Sequence, residues 1–179
     1  MNDIMLDLET WATSQDAVIL SVGACFFDKE LIGESLYLCL DRDQQVLDGR
    51  KKDPKTVEWW DKQSDEAKHL FNEVQVGVFN FMSIFTDWVT NKAQDPGSVK
   101  MWGNGSDFDN AILGNLYESW GIKKPWSYSN NRCYRTLKNI CLPFDSHDLP
   151  QREGVHHHAL HDAQYQAAMA GRYLKGKLK

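Results

Sequence analysis

Ile4-Met5-Leu6-Asp7-Leu8-Glu9-Thr10 is a short apolar run broken by two acids spaced two apart. Read as a strand, it turns Asp7 and Glu9 to the same face of a sheet, because side chains alternate with a period of two. Two bare carboxylates on one face repel each other unless a cation or a proton lies between them. The alternative leaves Glu9 past the strand end and both acids solvated. Two further segments read as strands: Val18 to Phe27, rich in Val, Ile, Phe and Cys, and Ser35 to Leu40, which alternates loosely. Turn residues Asp28-Lys29-Glu30 and Gly33 separate them. The pattern predicts a three-stranded antiparallel meander.

Helical signals follow. Polar sequence from Asp41 to Lys52 reads as a loop, and Asp53-Pro54 then offers a capping acid with a proline at the first helical position. Val78, Phe81, Met82, Phe85, Trp88 and Val89 recur at helical spacing. Pro96-Gly97 breaks that helix, Ser98 to Trp102 predicts a fourth strand, and Gly103-Asn104-Gly105 ends it. Ile112, Leu113, Leu116, Tyr117 and Trp120 stripe another helix that stops at Gly121. An irregular stretch with Pro125, Pro143 and Pro150 leads to a last helix from about Leu160. Its face of Leu160, Ala163, Ala167, Ala170 and Leu174 is mostly alanine, which lets a helix lie close to a sheet. The expectation is an α/β layered fold around a mixed sheet, with residues 1–179 forming one domain.

Composition narrows the function. The longest nearly apolar run, Ala17 to Phe27, falls short of the roughly 20 residues that span a bilayer. No basic and apolar leader opens the chain, and Cys25, Cys39, Cys133 and Cys141 form no CxxC pair, so a reducing cytoplasm is the expected location. The formal net charge of −5 has the wrong sign for a protein that coats nucleic acid by phosphate neutralisation alone. It is compatible with a metal-dependent nuclease, because bound divalent cations would cancel most of it.

Two more clusters carry chemistry. Gly103-Asn104-Gly105-Ser106-Asp107-Phe108-Asp109 is a glycine-rich strand-to-helix turn, and His157-His158-Ala159-Leu160-His161-Asp162-Ala163 opens the last helix. A histidine in the preceding loop can take a proton near neutral pH, and a carboxylate in the first helical turns can hold a hard cation. Taken singly, Asp109 reads better as a surface or capping acid and His157 as a polar loop residue.

Asp-x-Glu in an early strand, Phe-Asp after a Gly/Asn turn and His-x4-Asp on the last helix come in this order. Together they resemble the DEDDh branch of the DnaQ-like 3′–5′ exonucleases across nearly the whole chain. Within that branch, Thr56-Val57-Glu58-Trp59-Trp60 and the Trp-Gly-Asn-Gly turn resemble a phage and bacterial group of exodeoxyribonucleases and exoribonuclease-like proteins. The resemblance implies a ribonuclease-H-like fold, a mixed β-sheet flanked by helices. It also implies a metal-dependent exonuclease that releases nucleoside 5′-monophosphates from the 3′ ends of single-stranded DNA or RNA, with a slight lean to DNA. By the same resemblance, two Mg²⁺ or Mn²⁺ ions about 4 Å apart would be bridged by Asp7. Glu9 and Asp162 would complete one site, Asp109 would hold the second ion, and His157 would deprotonate the attacking water. Four hard oxygen ligands independently select Mg²⁺ or Mn²⁺ over zinc.

The second motif departs from the family pattern: Asn104 stands five residues before Asp109 rather than four, which makes Asp107 a rival ligand. The first motif ends Glu9-Thr10-Trp11 rather than Thr/Ser-Gly, so Thr10 and Trp11 join Asn104 and Phe108 as candidate substrate contacts. Trp59 and Trp60 diverge by about 100° on a helix, so one can be buried while the other faces a cleft. The run His156-His157-His158 with His161 is a poor zinc site, because adjacent histidines do not easily converge on one ion. The Arg132–Lys138 region is a candidate for phosphate contacts, and the basic end from Arg172 to Lys179 complements a helix dipole. Partners expected are nucleic-acid 3′ ends, with no membrane, and a homodimer that lends basic residues to an acidic chain. Two other functions use the same residues: hydrolysis of a short oligonucleotide, and a module that binds nucleic acid without cutting it.

Overall fold

Asp3–Thr10 (β1), Ile19–Phe27 (β2) and Ile32–Leu40 (β3) form the expected antiparallel meander in the computed structural model, which describes residues 1–141 and 149–176. Pro143 and positions 177–179 of the basic end lie outside the described residues. Asp7 pairs with Gly23 and Glu9 with Ser21, so both acids lie within the paired strand and share a face. The alternation of β1 divides the core. Ile4, Leu6 and Leu8 point to one side, where Val78–Lys92 (α4) and Asp109–Ser119 (α5) cover them with Phe81, Phe85, Ile112 and Leu116. Met5 points to the other side, beneath Ala159–Lys175 (α7) and Tyr134–Ile140 (α6).

Lys100–Gly103 (β5) runs parallel to β1, and Asn131–Cys133 (β6) runs parallel to β5. With Gln75–Val76 (β4) beside β3, the described residues form a six-stranded mixed sheet in the order β4-β3-β2-β1-β5-β6. The β1–β5 ladder ends at Met5 and Trp102, and β1 continues beyond it. The carboxyl ends of these two parallel strands therefore open a crevice, the usual place for a ligand in an open α/β sheet.

Asp53 caps Pro54–Asp61 (α2), accepting from the Lys55 N–H at 2.9 Å as its sequence predicts. The preceding polar segment is not all loop. Arg42–Leu47 (α1) is capped by Asp41 and buries Gln45, whose amide donates to Ile19 O and accepts from Ile19 N–H, each at 2.8 Å. A hydrophobic pattern misses this helix because its buried residue is polar, while Leu47 is exposed. The strands β4 and β6, with helices Asp65–Lys68 (α3) and α6, were also absent from the sequence reading; most are too short to show a period. On α7, Ala163, Ala167 and Ala170 are buried as expected, while Leu160 and Leu174 are half-buried at the edges of the contact. Among the described residues, no helix is long and apolar enough to cross a membrane.

One glycine sets the approach of α7. A Cβ on Gly23 would lie 2.1 Å from the Ala159 carbonyl carbon, so β2 accepts the helix start only because it has no side chain there. Gly23 is the cross-strand partner of Asp7, so this contact also delivers the amino end of α7 to the first acid.

Candidate active site

Three chain segments meet at the end of β1. From the strand come Asp7, half-buried, and Glu9, buried. Asp109 enters from the amino end of α5 and is 3 % exposed. Its carboxylate accepts from the Leu8 N–H at 3.2 Å and from the Asn104 N–H at 2.9 Å. Gly103 makes the space, since a Cβ there would lie 2.9 Å from Asp109 Cβ. Asp107, the rival ligand, is exposed on the turn, whereas Asp109 is buried.

The last helix supplies Asp162 in its first turn. One carboxylate oxygen accepts the His157 N–H at 3.1 Å, and the other contacts the Arg152 guanidinium. Ligand atoms of Glu9, His157 and Asp162 lie within 4.8 Å of one another. One turn on, Gln166 donates to Asp7 Oδ1 at 2.7 Å. Gln166 and Arg152 were not singled out from the sequence. The signal for Gln166 was its i+4 spacing from Asp162, which puts both on one helix face; nothing local marks Arg152.

His157 has φ of 61°, a left-handed conformation that costs a branched or bulky residue roughly 1–2 kcal/mol. Its ring meets Trp59 edge-on at 4.8 Å between centroids. Burial, then the neighbouring charges of His156 and Arg152, lowers its pKa, so the imidazole is neutral and able to accept a proton near pH 7.

The electrostatics of the acids are the reverse of a relaxed surface. Burial, followed by the charge of Asp109, raises Glu9 to about 8. Burial raises Asp109 to about 7 against the lowering effect of the Leu8 and Asn104 N–H groups. Asp7 is pushed well above the carboxylate range by burial, then by Asp109 and Glu9. Near neutral pH burial and mutual repulsion disfavour charge on all three, and a cation between them would relieve that cost. Oxygen donors at this density suit Mg²⁺ or Mn²⁺, and the residues present fit such ions. Among the described residues, His156, His158 and His161 join no comparable ligand group.

A cleft of about 500 Å³ opens beside Glu9, lined among others by Thr10, Lys55, Trp59, Trp60 and Phe108. Trp59 is 41 % exposed and Trp60 is 2 % exposed, with its indole N–H donating to Thr10 O at 2.9 Å. The Thr10 hydroxyl donates to Ala12 O at 2.7 Å. Phe108 lines the cleft, whereas Trp11 does not: it stacks on Phe71, with the Lys52 ammonium 3.9 Å above its ring centroid. The Asn104 backbone binds both Asp109, through its N–H, and Arg135, whose guanidinium donates to Asn104 O at 2.6 Å. Arg132 is turned away and donates to Ser129 O and Asn131 O.

Residues 2–174 match the model of the family described as 3′-5′ exoribonuclease Rv2179c-like domain. The chain is 25 % identical over 193 residues to the exodeoxyribonuclease of Enterobacteria phage T4, covering 90 % of this chain and 84 % of that protein. Its fold is similar to the nuclease domain of 3′hExo, a DEDDh family member bound to rAMP, with a TM-score of 0.64, 10 % identity and coverage of 98 % and 92 % of the two chains. It is also similar to S. pombe Pop2p in a form with bound Mg²⁺ and Mn²⁺, with a TM-score of 0.55, 17 % identity and coverage of 99 % and 86 %. The ribonuclease-H-like mixed sheet flanked by helices is thus the fold of this chain.

Proposed function

The chain belongs to the Rv2179c-like family of 3′–5′ exoribonuclease domains and is a 3′–5′ exonuclease, and from that premise we propose that it acts as a single domain on single-stranded 3′ ends, releasing nucleoside 5′-monophosphates. The observation that carries this is the approach of Glu9, His157 and Asp162 ligand atoms to within 4.8 Å of one another, with Asp7 and Asp109 close enough to Glu9 and each other to interact electrostatically. Asp7 would be the shared ligand of two divalent ions, with Glu9 and Asp162 on one and Asp109 on the other. When bound, such ions supply charge neutralisation at the phosphodiester and make water a better nucleophile.

The chain's own residues do the rest. Gln166 holds one oxygen of Asp7 and so fixes the orientation of that carboxylate. His157 accepts the proton of the attacking water through its imidazole, while its backbone N–H stays on Asp162. The cleft beside Glu9 takes the terminal nucleotide, with Trp59 and Phe108 as its aromatic walls and Thr10 at its base. Lys55, on the same cleft, supplies positive charge near the next phosphate.

A paired digestion tests the reading. Single strands of DNA and RNA of one sequence, labelled at the 3′ or the 5′ end, are incubated with Mn²⁺, Mg²⁺ or EDTA. Mononucleotide release from the 3′ end that EDTA stops is the expected result, and internal cuts or release from the 5′ end would overturn it. The family description favours ribose, whereas the name of the phage relative favours deoxyribose; matched rates on the two polymers decide the sugar.

A further inference from the structure

The histidine run has a use that the acid cluster does not explain. The His158 ring lies between two others: it stacks on Tyr37 of β3 at 4.3 Å and 22°, and on His161 of α7 at 4.0 Å and 23°. The column is anchored at both ends. Tyr37 Oη is 3.4 Å from Cys39 Sγ on its own strand, and His161 Nδ1 accepts the Val155 N–H at 3.0 Å. The loop is shaped around the column too, because Gly154 has φ of 80° and a Cβ there would lie 2.5 Å from His161 Cγ.

His157 sits inside this frame with its left-handed backbone. A conformation of that kind persists only where the surroundings over-determine it. On one side its N–H is tied to Asp162, on another its ring abuts Trp59, and the next residue along the chain is the middle member of the stack. We propose that Tyr37, His158 and His161 are positioning residues that hold His157 in its proton-accepting pose. The face-to-face packing of the rings provides the hold, with the Tyr37 hydroxyl and His161 Nδ1 fixing the two ends of the column. This inference rests on the assignment of His157 as the proton acceptor.

The test is a mutant cycle on the full chain with labelled single-stranded RNA and DNA. His157→Ala, His158→Ala and Tyr37→Ala are measured singly, and each of the last two is combined with His157→Ala. Tyr37→Leu is kept in reserve should Tyr37→Ala fail to fold. The expected result is a fall in kcat of about 10- to 100-fold for His158→Ala and Tyr37→Ala, the scale of a small misplacement of a reacting group. KM and Mn²⁺ affinity stay within about 2-fold, because the changes remove side chains that line neither the cleft nor the acid cluster, while the His158 carbonyl that accepts the Asp162 N–H at 3.0 Å is kept. In the His157→Ala background the same changes cost nothing further, since they act only through that imidazole. His158→Phe restores the rate, because it keeps the stack and His158 Nδ1 makes no hydrogen bond that the change would remove. Full kcat in folded alanine variants, additive losses in the cycle, or failure of His158→Phe to restore the rate would each overturn the proposal. Should His157→Ala itself turn over normally, the assignment of His157 would fall; loss there with full activity in the column variants sinks the positioning role alone.

Discussion

The strand-borne and loop-borne halves of the site are built in opposite ways. Asp7 and Glu9 are paired with Gly23 and Ser21 on β2, the register shifting only after Glu9, and what opposes their placement is the burial and mutual repulsion of their charges. His157 is backbone-strained, and it is held by a hydrogen bond to Asp162, an aromatic edge and a stacked column beside it. Asp162 stands between the two, on a regular helix but in contact with Arg152. The difference teaches a division of labour: cations need charges fixed at close quarters, which a sheet supplies, whereas a proton acceptor needs an aim that can be set by packing.

Changes on the strand side should have the largest effect. Asp7→Asn keeps an acceptor for Gln166 but removes the shared charge, so turnover should fall by about 10³-fold or more. The same variant in EDTA should melt a few degrees above wild type, because Asn removes a carboxylate that burial, then Asp109 and Glu9, disfavour when charged (about 2–4 °C per kcal/mol at this size). Calorimetry beside the digestion assay checks both, and a lower melting temperature would mean that Asp7 is a structural acid. On the loop side, His157→Ala should lower kcat by about 10²-fold while leaving Mn²⁺ binding near wild type. Loss of Mn²⁺ binding in that variant would blur the two halves into one.

A pH titration separates the halves without mutation. Glu9 and Asp109 hold protons more tightly in the fold than in an unfolded chain, at about 8 and about 7. The stability they lend is therefore fully present below the ordinary carboxylate range and is lost as the pH rises through those values. In EDTA the melting temperature should fall by about 5 °C or more between pH 5 and pH 9; saturating Mn²⁺ should remove most of that fall. A flat profile in EDTA would show the acids already relieved. The smallest effect belongs to the boundary: Arg152→Ala frees an Asp162 oxygen and should tighten Mn²⁺ binding roughly 5-fold, read by calorimetry. Weaker binding would assign Arg152 to supporting the ligands.

Much of this was open to inspection in one dimension. Alternation around Asp7 and Glu9, the Asp53-Pro54 cap and the Phe-Asp and His-x4-Asp spacings are local, and local geometry depends mainly on adjacent residues. The α1 helix was missed for a local reason as well, because its buried residue, Gln45, is polar and reads as surface. Trp11 reads in the sequence as either a stacking wedge beside Thr10 or a packing residue, and the strand end turns it toward Phe71 and Lys52.

By itself, the sequence determined that two acids leave β1 on one side, and that a third acid and a histidine–aspartate pair begin helices. Tertiary structure decided that these groups meet. The Leu8 N–H finds Asp109 across 101 positions, and Gln166 finds Asp7 across 159, because the β1–β5 ladder stops at Met5 and Gly23 admits α7. It also buried Asp109 and left Asp107 exposed, and it set His158 and His161 in a stack with Tyr37 while His157 faces Glu9 and Asp162. The physical reason is that alternation and helical period follow from bonds along the chain. Charge repulsion, burial and ring stacking depend on distances through space, which only the packed sheet and helices define.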